Sequence, residues 1–158
     1  MEEIHIKLLK AVIFRLSNEL TIKTKINEHS LIAIKCFNLI KTFVENKFYT
    51  CSAGFPLLEQ ELLPIYQLLK QKDFSFVDDV IIIVGTIIKV KKKVTNHLAF
   101  IVPEIYNIFE SKKRILDNLF STINGFLVYG NEVFLEQNTY IEIVKTYLKI
   151  YLLIFYRY

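Results

Sequence analysis

The chain has 158 residues, which points to about one domain, and at 53% hydrophobic and 23% charged with a mean hydropathy of +0.33 it is not intrinsically disordered. Four glycines and three prolines exclude collagen-like and low-complexity chains and disfavour a many-hairpin sandwich; two cysteines exclude a disulfide scaffold. The net charge of +4 carries little weight, because 23 Ile, 17 Lys and 10 Asn against 4 Ala is the bias of A/T-rich codons, and Lys outnumbers Arg 17 to 3, which disfavours base readout.

Helical spacing dominates in chain order. Segment 3–20 places Leu9, Val12, Ile13, Leu16 and Leu20 on one face, and 28–48 does so with Ile32, Cys36, Leu39, Ile40 and Phe43, broken near its end by Lys47. Gly54 and Pro56 mark a loop and a helix start. Segment 56–72 carries Leu58, Leu62, Leu63, Tyr66 and Leu69. The stretch FVDDVIIIVGTIIKV is rich in β-branched residues, but a lone strand has no partner, so the reading is a helix over 76–91. Segment 95–110, capped by Thr95 or Asn96, carries Leu98, Ile101, Val102, Ile105, Ile108 and Phe109. Segment 113–129 carries Leu116, Leu119, Phe120, Ile123, Phe126 and Leu127. Segment 138–155, capped by Asn138 or Thr139, aligns Ile141, Val144, Leu148, Tyr151, Leu152 and Phe155.

An internal repeat supports these assignments. Pro64 and Pro103 stand 39 residues apart, each after two aliphatics and before an aliphatic–Tyr pair. At the same offset VDDVIIIVGTIIK (77–89) lies over LDNLFSTINGFLV (116–128), pairing Val77 with Leu116, Asp78 with Asp117, Val80 with Leu119, Ile81 with Phe120, Val84 with Ile123, Ile87 with Phe126 and Ile88 with Leu127. A helix pair recurring near 40 residues is the period of HEAT and armadillo arrays, in which each pair buries its apolar face against neighbours and a proline kinks the first helix. The expected fold is all-α: a single right-handed HEAT-type solenoid over 1–158, of about three and a half antiparallel pairs at 3–48, 56–91 and 95–129, with 138–155 opening a fourth. A non-repetitive helical bundle is the alternative.

The catalytic inventory is thin. His5, His29 and His97 stand far apart, outside any ligand spacing. Cys36 falls on an apolar stripe and reads as a small core residue, while Cys51 lies in a loop without a histidine-rich site. The four glycines build no phosphate-binding loop. No catalytic residue, metal or cofactor is expected. Asp78 and Asp79 suit the first turn of their helix, and with Glu104 they are the candidate acidic contacts for a protein partner. The lysines of KVKKKV (89–94) suit the negative end of the helix before them better than a nucleic-acid patch. The acidic start MEEIHIKLLKAVIF makes a poor signal peptide, and the apolar run 80–88 is too short to span a membrane, so a soluble intracellular protein without membrane insertion is expected.

The stretch from Leu57 to Ile150 resembles the middle HEAT repeats of the importin-β (karyopherin) family of nuclear transport receptors, nearest the importin-seven and importin-eight branch. The matching pieces are LLPIYQLL, FSFVDDVIIIVGTIIKVKKKVTNHLAFIVPEIYNIFES, ILDNLFSTINGFLVYG and NTYIEIVKTYLKI. The family pattern falls on Phe76, Asp78, Asp79, Val94, Thr95, Phe109, Glu110, Tyr140, Ile141 and Glu142. The resemblance implies a non-catalytic receptor shuttling between cytoplasm and nucleus through the nuclear pore, binding protein cargo, the small GTPase Ran and Phe-Gly nucleoporins. The chain departs from the usually acidic family in being net +4. The apolar end KIYLLIFYRY lacks the polar outer face of a capping helix, which leads to the expectation of a fragment. A generic HEAT scaffold or regulatory subunit of a larger assembly fits the repeat equally.

Overall fold

The computed structural model describes residues 2–21, 27–46, 54–67, 69, 75–99, 101–111, 116–136 and 140–155, and every extended element among them is an α-helix. The helices divide into two compact units, residues 1–68 and 69–158. The first contains α1 (Glu2–Thr21), α2 (Asn27–Glu45) and α3 (Gly54–Gln67). α1 packs along α2 and also against α3. Its core is Leu9, Ile13 and Leu16 of α1, Ala33, Cys36, Phe37, Ile40 and Val44 of α2, and Leu58, Leu62, Ile65 and Tyr66 of α3. Lys10 and Glu61 tie α1 to α3 at 3.3 Å. The buried face of α2 is rotated from the expected one, because Leu39 is exposed while Ala33, Phe37 and Val44 are buried. Leu31 and Ile34 are exposed too, so α2 is apolar on more than one side and periodicity alone does not choose its face.

The second unit contains α4 (Val77–Lys91), α5 (Asn96–Ala99), α6 (Val102–Ser111), α7 (Leu116–Tyr129), α8 (Asn131–Glu136) and α9 (Tyr140–Phe155). The β-branched stretch is helical: Asp78 and Asp79 occupy the first turn of α4 and Lys89 and Lys91 its last, each sign at the end the helix dipole favours. Lys92 then turns left-handed, at φ 52° and ψ 35°, and its N–H donates to the Ile88 carbonyl at 2.8 Å. The expected pair 56–91 is divided, with α3 in the first unit and α4 in the second, and α4 packs chiefly on α7.

Two expected helices differ in detail. The single helix over 95–110 is two. The Thr95 hydroxyl caps α5 by accepting the Leu98 N–H at 3.4 Å, and the chain restarts at Ile101, whose carbonyl accepts the N–H groups of Glu104 and Ile105. Pro103 has no N–H to donate and its ring opposes the carbonyl four residues back, so it stands in the first turn of a new helix rather than at a kink. Pro64, by contrast, lies inside α3. Before α9 the chain forms the short α8. The Gly130 N–H completes α7 by donating to Phe126, and the Gly130 carbonyl starts α8 by accepting from Phe134 at 3.0 Å. A Cβ on residue 130 would sit 2.5 Å from the Phe126 oxygen and inside the Phe134 ring, so this helix junction needs glycine. The expected caps Asn138 and Thr139, and Cys51, lie outside the described residues.

Candidate protein-binding faces

The best-defined geometry in the molecule is the seam between α4 and α7. The Thr122 hydroxyl of α7, itself buried, donates to the Ile81 carbonyl of α4 at 3.2 Å. One turn on, Gly85 lies so close to Thr122 that a Cβ there would be 2.5 Å from Oγ1, and a Cβ on Gly125 would be 3.1 Å from Ile88 Cγ2. Past the end of α4, the Val94 N–H donates to the carbonyl of Tyr129, the last residue of α7, at 3.2 Å. Contacts advance along both helices in the same direction, so α4 and α7 are parallel. The facing residues are separated by close to 39 positions, the spacing of the sequence repeat. Small residues at Gly85 and Gly125 let the backbones approach, and β-branched neighbours fill the flanks.

On its other side α7 meets α9. Phe120 stacks on Tyr147 with ring centroids 5.1 Å apart and on Tyr151 at 6.4 Å, and the two tyrosines lie 6.3 Å from each other. Ile143 and Ile150 of α9 are buried. The face read as its core side is instead open: Ile141 is 65% exposed and Leu148, Tyr151 and Leu152 about half exposed. Helix α9 is apolar on two adjoining sides, with Lys145, Thr146 and Lys149 on the remaining one, and the side facing α7 is the one offering Tyr147 to Phe120. Val102, Ile105, Ile123, Phe126, Ile143 and Thr146 line a small apolar void beneath it.

The expected acidic contacts occupy two helices. Asp78, exposed, and Asp79, half-buried, adjoin in the first turn of α4, while half-buried Glu104 stands in the first turn of α6. Burial raises the Asp79 carboxyl above its usual range; its own backbone hydrogen bond pulls the other way and Asp78 adds a smaller upward push. Lys89, Lys92 and Lys93 are exposed.

Two buried polar features were not anticipated from the sequence. Glu19 is buried in an ion pair with Arg15 at 2.6 Å, and it faces the buried Cys36, whose thiol is raised by burial first, then by Glu19, with Arg15 opposing. A thiol held protonated in this way is a poor nucleophile. Tyr66 is 1% exposed and its hydroxyl makes no hydrogen bond among the described residues; burial and then the buried Glu59 push it well above its usual range. A tyrosine and a glutamate seven residues apart read as one helical face, and nothing in that spacing marks them as buried together. Among the described residues no three His, Cys, Asp or Glu side chains group as metal ligands, and no helix is long and apolar enough to cross a membrane. Comparison with protein-family models, with curated proteins and with solved structures finds no match for this chain.

Proposed function

We propose that this chain is a segment of a HEAT-type right-handed α-solenoid whose work is to bind proteins, and that it serves in a nuclear transport receptor of the importin-β kind. The observation that carries the solenoid is the parallel packing of α4 on α7 at the repeat spacing. Repeat-equivalent helices placed side by side are what a stacked array requires. The transport reading rests on the ordered motifs from Leu57 to Ile150. In it the segment binds protein cargo, Ran and Phe-Gly nucleoporins, works between cytoplasm and nucleus at the pore, and performs no catalysis. Asp78, Asp79 and Glu104 supply acidic contacts to a partner. The same repeat fits a second reading equally, a HEAT scaffold of another assembly.

A pull-down of the gene product with GTP-loaded Ran and with Phe-Gly repeat peptide separates the two. Retention of either supports the transport receptor. Retention of neither removes that reading and leaves the scaffold.

A further inference from the structure

The run KVKKKV (89–94) carries more positive charge than the end of α4 uses. Lys89 and Lys91 stand in the last turn, where they face the negative end of the helix dipole. Lys91 is half-buried and already makes an interaction of its own. Lys92 and Lys93 follow the helix. Lys89, Lys92 and Lys93 are exposed, and among the described residues none of the three forms an ion pair. Asp78 and Asp79 open the opposite end of α4. Glu132, three residues past the Tyr129 carbonyl that anchors Val94, makes no ion pair with the lysines. The backbone adds a second observation. Among the described residues Lys92 is the one with a positive φ, 52°. A lysine holds that conformation at a cost, because its Cβ crowds the following carbonyl oxygen, whereas glycine or asparagine adopts it readily. Codon bias does not account for it, since asparagine is equally A/T-rich and the chain has 10 of them.

From these observations we propose that Lys89, Lys92 and Lys93 form a docking surface for a short acidic segment of a partner protein. The strained backbone at Lys92 and the mutual repulsion of neighbouring lysines both lower stability, so these side chains serve contact rather than the fold. Charge complementarity names the partner. Separate aspartate or glutamate carboxylates suit three point charges that lack the fork of arginine. A nucleic acid fits less well, because the cluster holds no arginine to read base edges. A lipid surface also fits less well, since membrane-binding basic clusters hold about four to eight cations. The neighbouring Val94 is buried and the exposed Asn96 and His97 are polar, so they bring no apolar side chain to a bilayer. The surface lies wholly in the second unit and needs neither the repeat nor the transport reading.

The probe is a fluorescein-labelled hexaglutamate peptide, titrated with the full chain and read by fluorescence anisotropy. Saturable binding that weakens with salt is expected. Lys93→Glu should weaken it about fivefold or more, whereas Lys145→Glu, an equal change of charge at an exposed lysine of α9, should leave it within about twofold. Circular dichroism checks that both variants fold. Absence of saturable binding, or an equal loss in the two variants, overturns the surface. Lys92→Gly separates strain from charge. Relief of the positive φ should raise the melting temperature, while loss of the ammonium group weakens peptide binding about threefold. A melting temperature that does not rise, or binding that does not weaken, overturns the assignment of Lys92 to contact. Tighter binding of single-stranded oligo-dT or of phosphatidylserine vesicles, or self-association of the chain, that is lost in Lys93→Glu overturns the choice of partner.

Discussion

Helices α4 and α9 are nearly equal in length and similarly apolar, yet one is enclosed and the other half bare. Of the 15 residues of α4, Val77, Val80, Ile81, Ile83, Val84, Gly85, Ile87 and Ile88 are buried. Over the 16 residues of α9 the described side chains include two fully buried apolar ones, Ile143 and Ile150, and four large apolar ones in the open. The difference lies in the neighbours. α4 has small residues where α7 approaches, whereas α9 meets α7 through stacked aromatic rings. Apolar content therefore sets how much surface a helix can bury, and the size of the residues at the contact decides how much it does bury.

The largest expected effect breaks the enclosed side. Ile88 is fully buried over Gly125. Ile88→Ala should cost about 3 kcal/mol in urea denaturation, through lost burial and a cavity that glycine opposite cannot fill. A cost under about 1 kcal/mol would mean that α4 is not packed as described.

A smaller effect tests the seam through two residues at once. Gly85→Ala puts a methyl against Thr122 Oγ1, so the hydroxyl must rotate away and give up the Ile81 carbonyl. The net cost should be about 1 kcal/mol, after a helix-propensity gain of similar size. In a Thr122→Ala background the same substitution should become neutral or stabilising. A double-mutant cycle showing no coupling between the two positions would separate the repeat from the contact.

Much of this seam was legible in the sequence. Six apolar pairs and an aspartate pair at one offset describe α4 and α7 before any coordinate is known, and the repeat also decides helix over strand for a stretch rich in β-branched residues. What escaped did so for physical reasons. Pro103 is compatible with a kink or with the first turn of a new helix, and carbonyl placement at Ile101 decides between them. The six residues of α8 are too few to show a period, although Gly130 marks the junction with α7. For α9 the spacing of Ile141, Leu148 and Leu152 describes a genuine apolar stripe, but Ile143, Tyr147 and Ile150 describe another, and the choice belongs to Phe120 on the neighbouring helix. The Tyr66 hydroxyl and Glu59 share a helical face with leucines, so their polarity is invisible to a periodicity argument.

Asp79 offers a weaker test at the start of the enclosed helix. Burial raises its carboxyl, so ionisation is harder in the folded chain than in the unfolded one. The folded state thus loses stability as pH rises from below the unfolded value through the raised folded one, and the penalty is complete at neutral pH. Asp79→Asn should stabilise slightly at pH 7, because the half-exposed site is screened by solvent, and the advantage should vanish in denaturation curves below about pH 4. An advantage that persists at low pH would assign the effect to something other than charge.

The smallest expected effect lies on the bare side of α9, and its smallness is the point. Leu152 is 48% exposed, so Leu152→Gln removes little contact and should leave the urea midpoint within about 0.5 kcal/mol of the parent. The same change lowers the apolar area that can meet another surface, and sedimentation at high concentration should show less association. A loss of 2 kcal/mol or more would mean that this face is covered within the folded chain, and the contrast between α4 and α9 would collapse into two enclosed helices. Near-neutral stability with reduced association keeps the contrast, and assigns the apolar stripe of α9 to contact with other molecules rather than to the fold.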